Sequence, residues 1–285
     1  MEMLHYDFMQ RAFWAGGIIA ILASTLGVYL MLRRQALIAD MLSHVSLAGV
    51  AAGTYLHINP SIAGFIVAML GAIAVEYVRR SYKSFSEVSV AIIMVSGLAS
   101  AVVLMSLIKG TSKSLSSYLF GSVVAVNTAD LWQMIGVAVV GAIFFFFFRR
   151  PLYQISFDEE TAKTDGLPVK WISLLFSIMT GMIVSSAMPI VGVLLVSALV
   201  ILPAAFAVRI AVSFSAAIGI ACAAGLVGVF SGLTASYHLN TPPGGTIAII
   251  LLIILGVGVL VQKTTLRARS RVRNTESKRK FYTYQ

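Results

Sequence analysis

The chain has 285 residues, of which 59% are hydrophobic and only 11% are charged, and its formal net charge is +10. Because an ordinary soluble domain is about one-quarter charged, this composition excludes a water-soluble enzyme. No charged stretch is long enough to form a large extramembrane catalytic domain, so the sequence predicts an all-α polytopic membrane protein with short loops.

Nine hydrophobic segments approach the roughly 20 apolar residues that a membrane-spanning helix requires. They cover residues 12–32, 36–57, 60–78, 88–108, 131–148, 171–188, 190–208, 211–236 and 245–262. The stretch Leu115–Asn127 is too short to cross, and we interpret it as a re-entrant or interfacial piece. The sixth and seventh spans are separated at Pro189 with almost no loop.

The positions of the basic residues predict the orientation of these spans, because cytoplasmic loops are enriched in Lys and Arg. With the N-terminus outside and the C-terminus in the cytoplasm, 18 of the 21 Lys and Arg residues lie inside. The three exceptions are Arg11, Lys109 and Lys113. The positive charge is therefore explained without nucleic acid. Residues 1–262 form the predicted transmembrane domain, and residues 263–285 form a basic tail, either held near anionic lipid or simply solvated.

Asp40 and His44 are the polar residues that stand out in the second span. An ionised aspartate in a membrane helix is costly, so such a residue usually faces a cavity or a partner. The spacing of four residues places both side chains on one helix face, where carboxylate and imidazole can bind one divalent cation. The alternative is that Asp40 pairs with Arg33 or Arg34 and His44 bonds a neighbouring helix.

Further polar residues surround this predicted metal pair. Ser43 and Ser46 add hydroxyls in the same helix. His57 and His238 fall at the predicted outer face, where they are weak candidates for the mouth of a metal path. Glu76 lies near the inner edge of the membrane beside Arg79 and Arg80, which favours a structural ion pair. Two ligands are too few for a tight site, and a second copy of the chain about a two-fold axis would supply two more.

One substantial cytoplasmic loop, residues 149–170, joins the fifth and sixth spans. Asp158 can cap a short helix that runs through about Thr164 and ends at Gly166 and Pro168. This helix is either a docking element for another subunit or part of a solvated loop. The chain has no G-x-x-x-x-G-K-[ST], H-E-x-x-H or G-x-S-x-G motif, which argues against ATP hydrolysis and catalysis by this chain.

Several segments together resemble the bacterial ABC metal-ion importer permeases for zinc, manganese and iron. The segment 160–166 is similar to the Glu-Ala-Ala-x-x-x-Gly coupling loop of ABC importers, with Thr161 in place of the first Ala. The segment 39–49 resembles the Asp-x-x-Ser-His signature of the metal-ion permeases. The other similar stretches are Ser116–Gly121, 191–205 and Thr241–Thr246. The N-terminal half most resembles the zinc (Znu/Adc-type) branch.

The resemblance implies a fold like that of the type II importers typified by the vitamin B12 permease. It implies a homodimer in the bacterial plasma membrane, with two ABC ATPase subunits inside and a metal-binding protein outside. Asp40 and His44 would then line the path of Zn²⁺, with Mn²⁺ or iron as alternatives; the ion is the transported substrate, and no permanently bound cofactor is expected. The residues that would couple to the ATPase are Asp158, Glu159, Glu160, Ala162 and Gly166.

Two other classes of function remain open at this stage. In an ATP-independent secondary transporter, Asp40 and His44 would form a proton relay. An intramembrane enzyme would require a second buried acid or base partner, and Asp40 is the only aspartate predicted well inside a span.

Overall fold

The structure, a computed structural model, describes residues 6–81, 86–108, 117–122, 127–260 and 262. Regular structure in these residues is entirely helical, which confirms the predicted all-α class. Nine of the described helices are long and apolar enough to cross a membrane, as the sequence predicted. The predicted bounds of these spans differ from the observed ones by at most five residues.

The helices are numbered in chain order. The long ones are α1 (Asp7–Leu32), α2 (Ala36–Tyr55), α3 (Pro60–Ser81), α4 (Ser86–Leu107), α5 (Thr128–Phe147), α8 (Val169–Val191), α9 (Val193–Ile210), α10 (Phe214–Leu239) and α11 (Pro243–Leu260). Two short helices, α6 (Arg149–Phe157) and α7 (Glu159–Thr164), lie between α5 and α8. The predicted basic tail lies outside the described residues.

Helices α1, α2 and α8 are the most buried of the nine long helices. α1 packs against α9 and α10, α2 against α3 and α4, and α8 against α3. Tyr29 of α1 lies at an aromatic cluster in the core, 5.5 Å from Phe145, 6.2 Å from Phe176 and 5.2 Å from Phe214 between ring centroids. The cluster joins four helices at the predicted cytoplasmic side of the bundle.

Close backbone contacts made by glycines fix α2 in place. A Cβ added to Gly97 of α4 would lie 3.0 Å from the amide nitrogen of Val45, and one added to Gly64 of α3 would lie 3.1 Å from the carbonyl oxygen of Ser46. On α2 itself, a Cβ at Gly49 would lie 2.8 Å from the carbonyl oxygen of Ala63. α2 is therefore held against α3 and α4 by backbone contacts that leave no room for larger residues.

The boundary between α8 and α9 is at Gly192, which corrects the predicted separation at Pro189. Pro189 lies inside α8, whereas Gly192 has φ 82° and ψ 153°, a conformation that favours glycine. Residues 117–122, the described part of the predicted re-entrant stretch, lie against this break, and the amide of Ser122 donates to the carbonyl of Pro189 at 3.2 Å. Side chains added at Gly121 or Gly244 would overlap the carbonyl oxygens of Ile190 or Val191.

Gly27→Ala is expected to destabilise the fold by about 1–3 kcal/mol, because the added methyl group would overlap the carbonyl oxygen of Val200 where α1 crosses α9. Thermal unfolding of the purified permease in detergent micelles measures the change. Gly219→Ala is the matched control, since its Cβ meets nothing within 4 Å. Equal unfolding temperatures for the two variants would show that α1 and α9 are not in close backbone contact.

Candidate functional site

Asp40 and His44 lie on the least covered stripe of α2. The residues of this stripe recur every three or four positions, the spacing of one helix face. They are Leu37, Asp40, His44, Ala48, Ala52 and Tyr55. The end residues are the most exposed, Leu37 at 56% and Tyr55 at 49%, and Asp40 is partly exposed. The other faces of α2 are covered by neighbouring helices, so this stripe is the one available to another molecule or another chain.

Both polar groups of the stripe have unsatisfied hydrogen-bonding capacity. His44 is 8% exposed, and its Nδ1 atom has no hydrogen-bond partner in the described part of the chain. Asp40 makes no hydrogen bond or ion pair with any described residue. Arg33, one of its two possible partners, donates instead to the hydroxyl of Ser173, and Arg34 is exposed. The alternative in which Asp40 pairs with an arginine is therefore not observed.

The two nearby serines do not join the pair. Ser43 donates back to the carbonyl of Ala39 at 2.8 Å, and Ser46 lies 2.9 Å from Ser185 between hydroxyl oxygens. In the described ranges, no cluster of three or more His, Cys, Asp or Glu side chains could hold a metal ion. One protomer thus offers one carboxylate and one imidazole at this position.

Glu76 is the centre of a second polar cluster, at the predicted cytoplasmic end of α3. Its carboxylate is 3% exposed and accepts hydrogen bonds from Arg79 at 3.0 Å, Arg80 at 2.6 Å and Ser177 of α8 at 3.3 Å. Arg80 also donates to the carbonyl of Lys170 at 3.1 Å. The predicted structural ion pair is confirmed, and it links α3 to the first turns of α8.

The helix predicted in the cytoplasmic loop is present as α7. The Asp158 carboxylate accepts hydrogen bonds from the Thr161 hydroxyl and from the amides of Thr161 at 3.2 Å and Glu160 at 3.0 Å. These hydrogen bonds lower the pKa of Asp158, and the bond from the hydroxyl has the largest effect. Gly166 ends the helix with φ 82°. Ala162 is only 1% exposed.

The acidic side chains of α7 differ in their exposure. Glu160 is exposed, whereas Glu159 is partly covered and pairs with Lys163 at 3.2 Å. The helix therefore presents one face to solvent while Ala162 anchors the opposite face to the core. The role of these residues in coupling to an ATPase stays a prediction.

The two outer histidines are distant from the pair. His57 is exposed and adopts a left-handed conformation, φ 57°, just beyond the end of α2. It follows His44 by 13 residues, about 20 Å along the helix axis. His238 is exposed in the last turn of α10, where its ring lies 5.5 Å from that of Tyr237. The structure does not bring either residue to Asp40 and His44, and their role at an outer mouth stays a prediction.

Asp130 is a buried acid that the sequence analysis missed. The predicted fifth span began at residue 131, but α5 begins at Thr128 and leaves Asp130 only 6% exposed. Asp130 and Asn127 form a capping box, in which each side chain accepts from the other's amide. The spacing Asn-x-x-Asp before an apolar run could have revealed it. Because this pairing satisfies the N-terminus of α5, we assign Asp130 a structural role.

A comparison with known protein families matches residues 5–262 to the ABC 3 transport family. Curated relatives of this chain carry metal-transport names, among them the following three. A probable metal transport system membrane protein of Treponema pallidum is 34% identical, covering 89% of this chain and 95% of the relative. The zinc uptake membrane protein ZnuB of Haemophilus influenzae is 29% identical, with coverage of 86% and 94%. The manganese import permease ScaB of Streptococcus parasanguinis is 32% identical, with coverage of 86% and 87%.

A solved structure agrees with this match. PsaBC from Streptococcus pneumoniae, in complex with Fab, superposes with a TM-score of 0.81 and 28% identity, covering 90% of this chain and 93% of that one. The matched family and the superposed structure each cover nearly the whole described bundle. The predicted resemblance to metal-ion permeases is thereby confirmed.

Glu76→Gln is expected to lower the stability of the permease by about 2–3 kcal/mol, because Arg79 and Arg80 lose their counter-charge at a buried position. The cost stays below that of a fully buried orphan ion, since Arg79 and Arg80 remain 18% and 28% exposed. Thermal unfolding in detergent measures the change. Glu87 is exposed, so Glu87→Gln is the control. Equal unfolding temperatures for the Glu76→Gln and Glu87→Gln variants would contradict a supporting role for Glu76.

Proposed function

The chain belongs to the ABC 3 transport family, and we propose that it is the permease subunit through which a bacterial ABC importer moves Zn²⁺ into the cell. It is a multi-pass ABC permease of the bacterial inner membrane and not an enzyme. Its role as an ABC permease implies an ATPase subunit and a substrate-binding protein as partners. Hydrolysis of ATP belongs to the ATPase, which agrees with the absence of a phosphate-binding loop from the sequence.

The observation that carries the proposal is the unsatisfied pair on the open stripe of α2. A carboxylate and an imidazole nitrogen that lack hydrogen-bond partners inside a membrane protein are costly, and a cation that binds both removes part of that cost. Asp40 and His44 lie one turn apart on one face, so their oxygen and nitrogen atoms can contact the same ion. A transported ion must also leave, which favours a site with few ligands.

The second half of the proposed site comes from a second copy of the chain. The stripe from Leu37 to Tyr55 is the least covered face of α2, with Leu37 and Tyr55 exposed and His44 buried at its centre, and a two-fold axis along it would bring Asp40 and His44 of both copies together. Two carboxylates and two imidazoles give four ligands, the coordination number that zinc prefers. We infer a homodimer whose path for metal runs along its symmetry axis.

Mn²⁺ is the second candidate substrate, because one relative is named for zinc uptake and another for manganese import. Oxygen and nitrogen donors accept both ions. Imidazole is the donor that favours zinc, and the carboxylates are the donors that favour manganese. Uptake measured metal by metal, in a deletion strain with and without this chain, separates the two candidates.

Helix α7 is the proposed docking element for the ATPase. Its cap at Asp158 and its buried Ala162 fix a short helix on the predicted cytoplasmic side, with Glu160 exposed to solvent. A rigid helix of this kind transmits force better than a solvated loop. The proposed orientation places α7 and the C-terminus inside and the N-terminus outside, and the basic tail next to anionic lipid.

Asp40→Asn and His44→Ala are each expected to reduce metal uptake to the level of the deletion strain, because either change removes one of two ligands per copy. Uptake of radioactive Zn²⁺ and of Mn²⁺ by whole cells measures the effect. Ser43→Ala is the matched control, since it removes a polar group from the same turn whose hydrogen bond stays within α2.

Normal uptake by either ligand variant, at normal amounts of permease in the membrane, would reject the assignment of the pair to the metal path. Uptake that persists when the ATPase subunit is inactivated would favour an ATP-independent transporter, in which the pair relays protons.

Charge reversal of Glu159 and Glu160 to lysine is expected to weaken the association of the permease with its ATPase subunit by about tenfold or more, because the acidic face of α7 becomes basic. Copurification of the ATPase with the tagged permease measures this. The same reversal at Glu87, which lies on another helix, serves as the control. Unchanged copurification after reversal at α7 would move the docking surface elsewhere.

A further inference from the structure

Three arginines and one buried glutamate meet where α1 ends and α8 begins. Arg79 and Arg80 share Glu76, which leaves Arg33 without a carboxylate partner among the described residues. Its Nη2 donates to the hydroxyl of Ser173 at 2.8 Å, and its guanidinium lies 4.8 Å above the ring centroid of Phe176. Its Nη1 is buried and has no hydrogen-bond partner. The cluster therefore has excess positive charge and one unsatisfied donor.

Glu159 of α7 is the acidic residue outside this cluster whose charge acts on Arg33. Burial raises the pKa of Glu159. The hydrogen bond from Lys163 and the positive charges of Arg79, Lys163 and Arg33 together lower the pKa by more than burial raises it, so the net shift is downward. Burial and the charge of Arg79 lower the pKa of Arg33 to about 10, against the opposing effect of Glu76 and Glu159. Both Arg33 and Glu159 are thus charged at neutral pH and act on each other.

The apolar packing between the two residues is continuous. Ala162, on α7, belongs to the same buried cluster as Leu30 and Ile38, which lie on either side of Arg33 in the sequence, and as Phe176, which lies under its guanidinium. Helix α7 packs against α6 and α8, so a movement of α7 reaches Arg33 through α8, which carries Ser173 and Phe176.

Glu159 has a choice of partner in this arrangement. In the described state its Oε1 atom lies 3.2 Å from Nζ of Lys163, an exposed pair within α7. The alternative partner, Nη1 of Arg33, is a better-shielded donor on a different element. A guanidinium has separate donor edges, so Arg33 can keep donating to Ser173 from Nη2 while its Nη1 donates to a carboxylate.

We propose that Glu159 exchanges Lys163 for Arg33 during the transport cycle, and that this exchange transmits the movement of α7 to the metal-ligating helix α2. The inference rests on the proposed function, since it assigns α7 to the ATPase and Asp40 with His44 to the metal. Arg33 is followed by only two residues before α2 begins, and Asp40 lies in the second turn of that helix. A displacement of Arg33 therefore moves the first metal ligand. Arg33 is a positioning residue in this scheme and does not touch the ion.

The experiment measures ATP hydrolysis and metal uptake together, in proteoliposomes that contain the permease, its ATPase subunit and the binding protein. Arg33→Gln and Glu159→Gln are each expected to lower the number of ions transported per ATP by about fivefold or more, the usual lower range of coupling between linked sites. Because both residues act through one contact, the double variant should be no worse than either single variant. Lys163→Gln removes only the competing partner of Glu159, so the number of ions transported per ATP should not fall in this variant.

Arg34→Gln is the matched control. Arg34 is the next residue of the same turn and is exposed, so its substitution removes the same charge without touching the cluster, and coupling should not change. Equal ATPase content in each purified complex excludes a loss of docking as the cause. If Arg33→Gln does not fold, Glu159→Gln and Lys163→Gln still test the exchange, because both side chains are about one-third or more exposed.

Three outcomes overturn the exchange: single effects that multiply in the double variant, an equal effect of Arg34→Gln, or the same direction of change in Lys163→Gln and Glu159→Gln. Failure of the proposed function has a different result, since the wild-type complex would then transport neither Zn²⁺ nor Mn²⁺. A wild-type complex that transports metal, with any of the three outcomes above, rejects only the exchange.

Discussion

The buried carboxylate of Glu76 is the interaction on which the predicted cytoplasmic half of the bundle depends. It accepts hydrogen bonds from two arginines of its own helix and from Ser177 of α8, at a position where water supplies few alternatives. A charge removed from water needs a partner nearby, and Glu76 has three. Through Arg80 the same cluster also holds the carbonyl of Lys170, so the start of α8 has a defined position.

The pair on α2 is the opposite case under the same constraint. Asp40 and His44 lack the partners that Glu76 has, although both lie in a predicted membrane span. Arg33 Nη1 and the hydroxyl of Ser24 are also buried without a partner, but only Asp40 and His44 place an unpaired acid and an unpaired imidazole on one face of one helix. The supporting cluster around Glu76 on α3 and the proposed transport pair on α2 are thus separate groups of residues.

Much of the fold follows from the sequence because membrane helices depend on length and hydrophobicity, which composition records directly. The nine described spans were predictable in this way. The cap at Asp158 and the ion pair of Glu76 were predictable from residue type and spacing along the chain. The break at Gly192 was not, because proline suggested an interruption at residue 189 while the required left-handed backbone is visible only in the structure. Asp130 was missed because a shift of three residues in a predicted boundary hid its burial.

The candidate site was predictable as a pair of residue types but not as a pair without partners. The four-residue spacing of Asp40 and His44 predicts a shared face. The partner of Arg33, however, is Ser173, which lies 140 residues away in the chain and cannot be inferred from local spacing. Long-range contacts of this kind decide whether a buried acid is neutralised. Local spacing likewise does not predict the partner of Ser46, whose hydroxyl contacts that of Ser185 and not Asp40 or His44.

The glycine contacts around α2 have a mechanical consequence. Because α2 approaches the backbone of α3 and α4 closely at Gly49, Gly64 and Gly97, the three helices pack as one stiff block. Access to the ion then cannot alternate by tilting α2 alone. Under the proposed function, Asp40 and His44 move with this block, and alternation between the two sides of the membrane requires the block to slide against the surface that covers its open stripe.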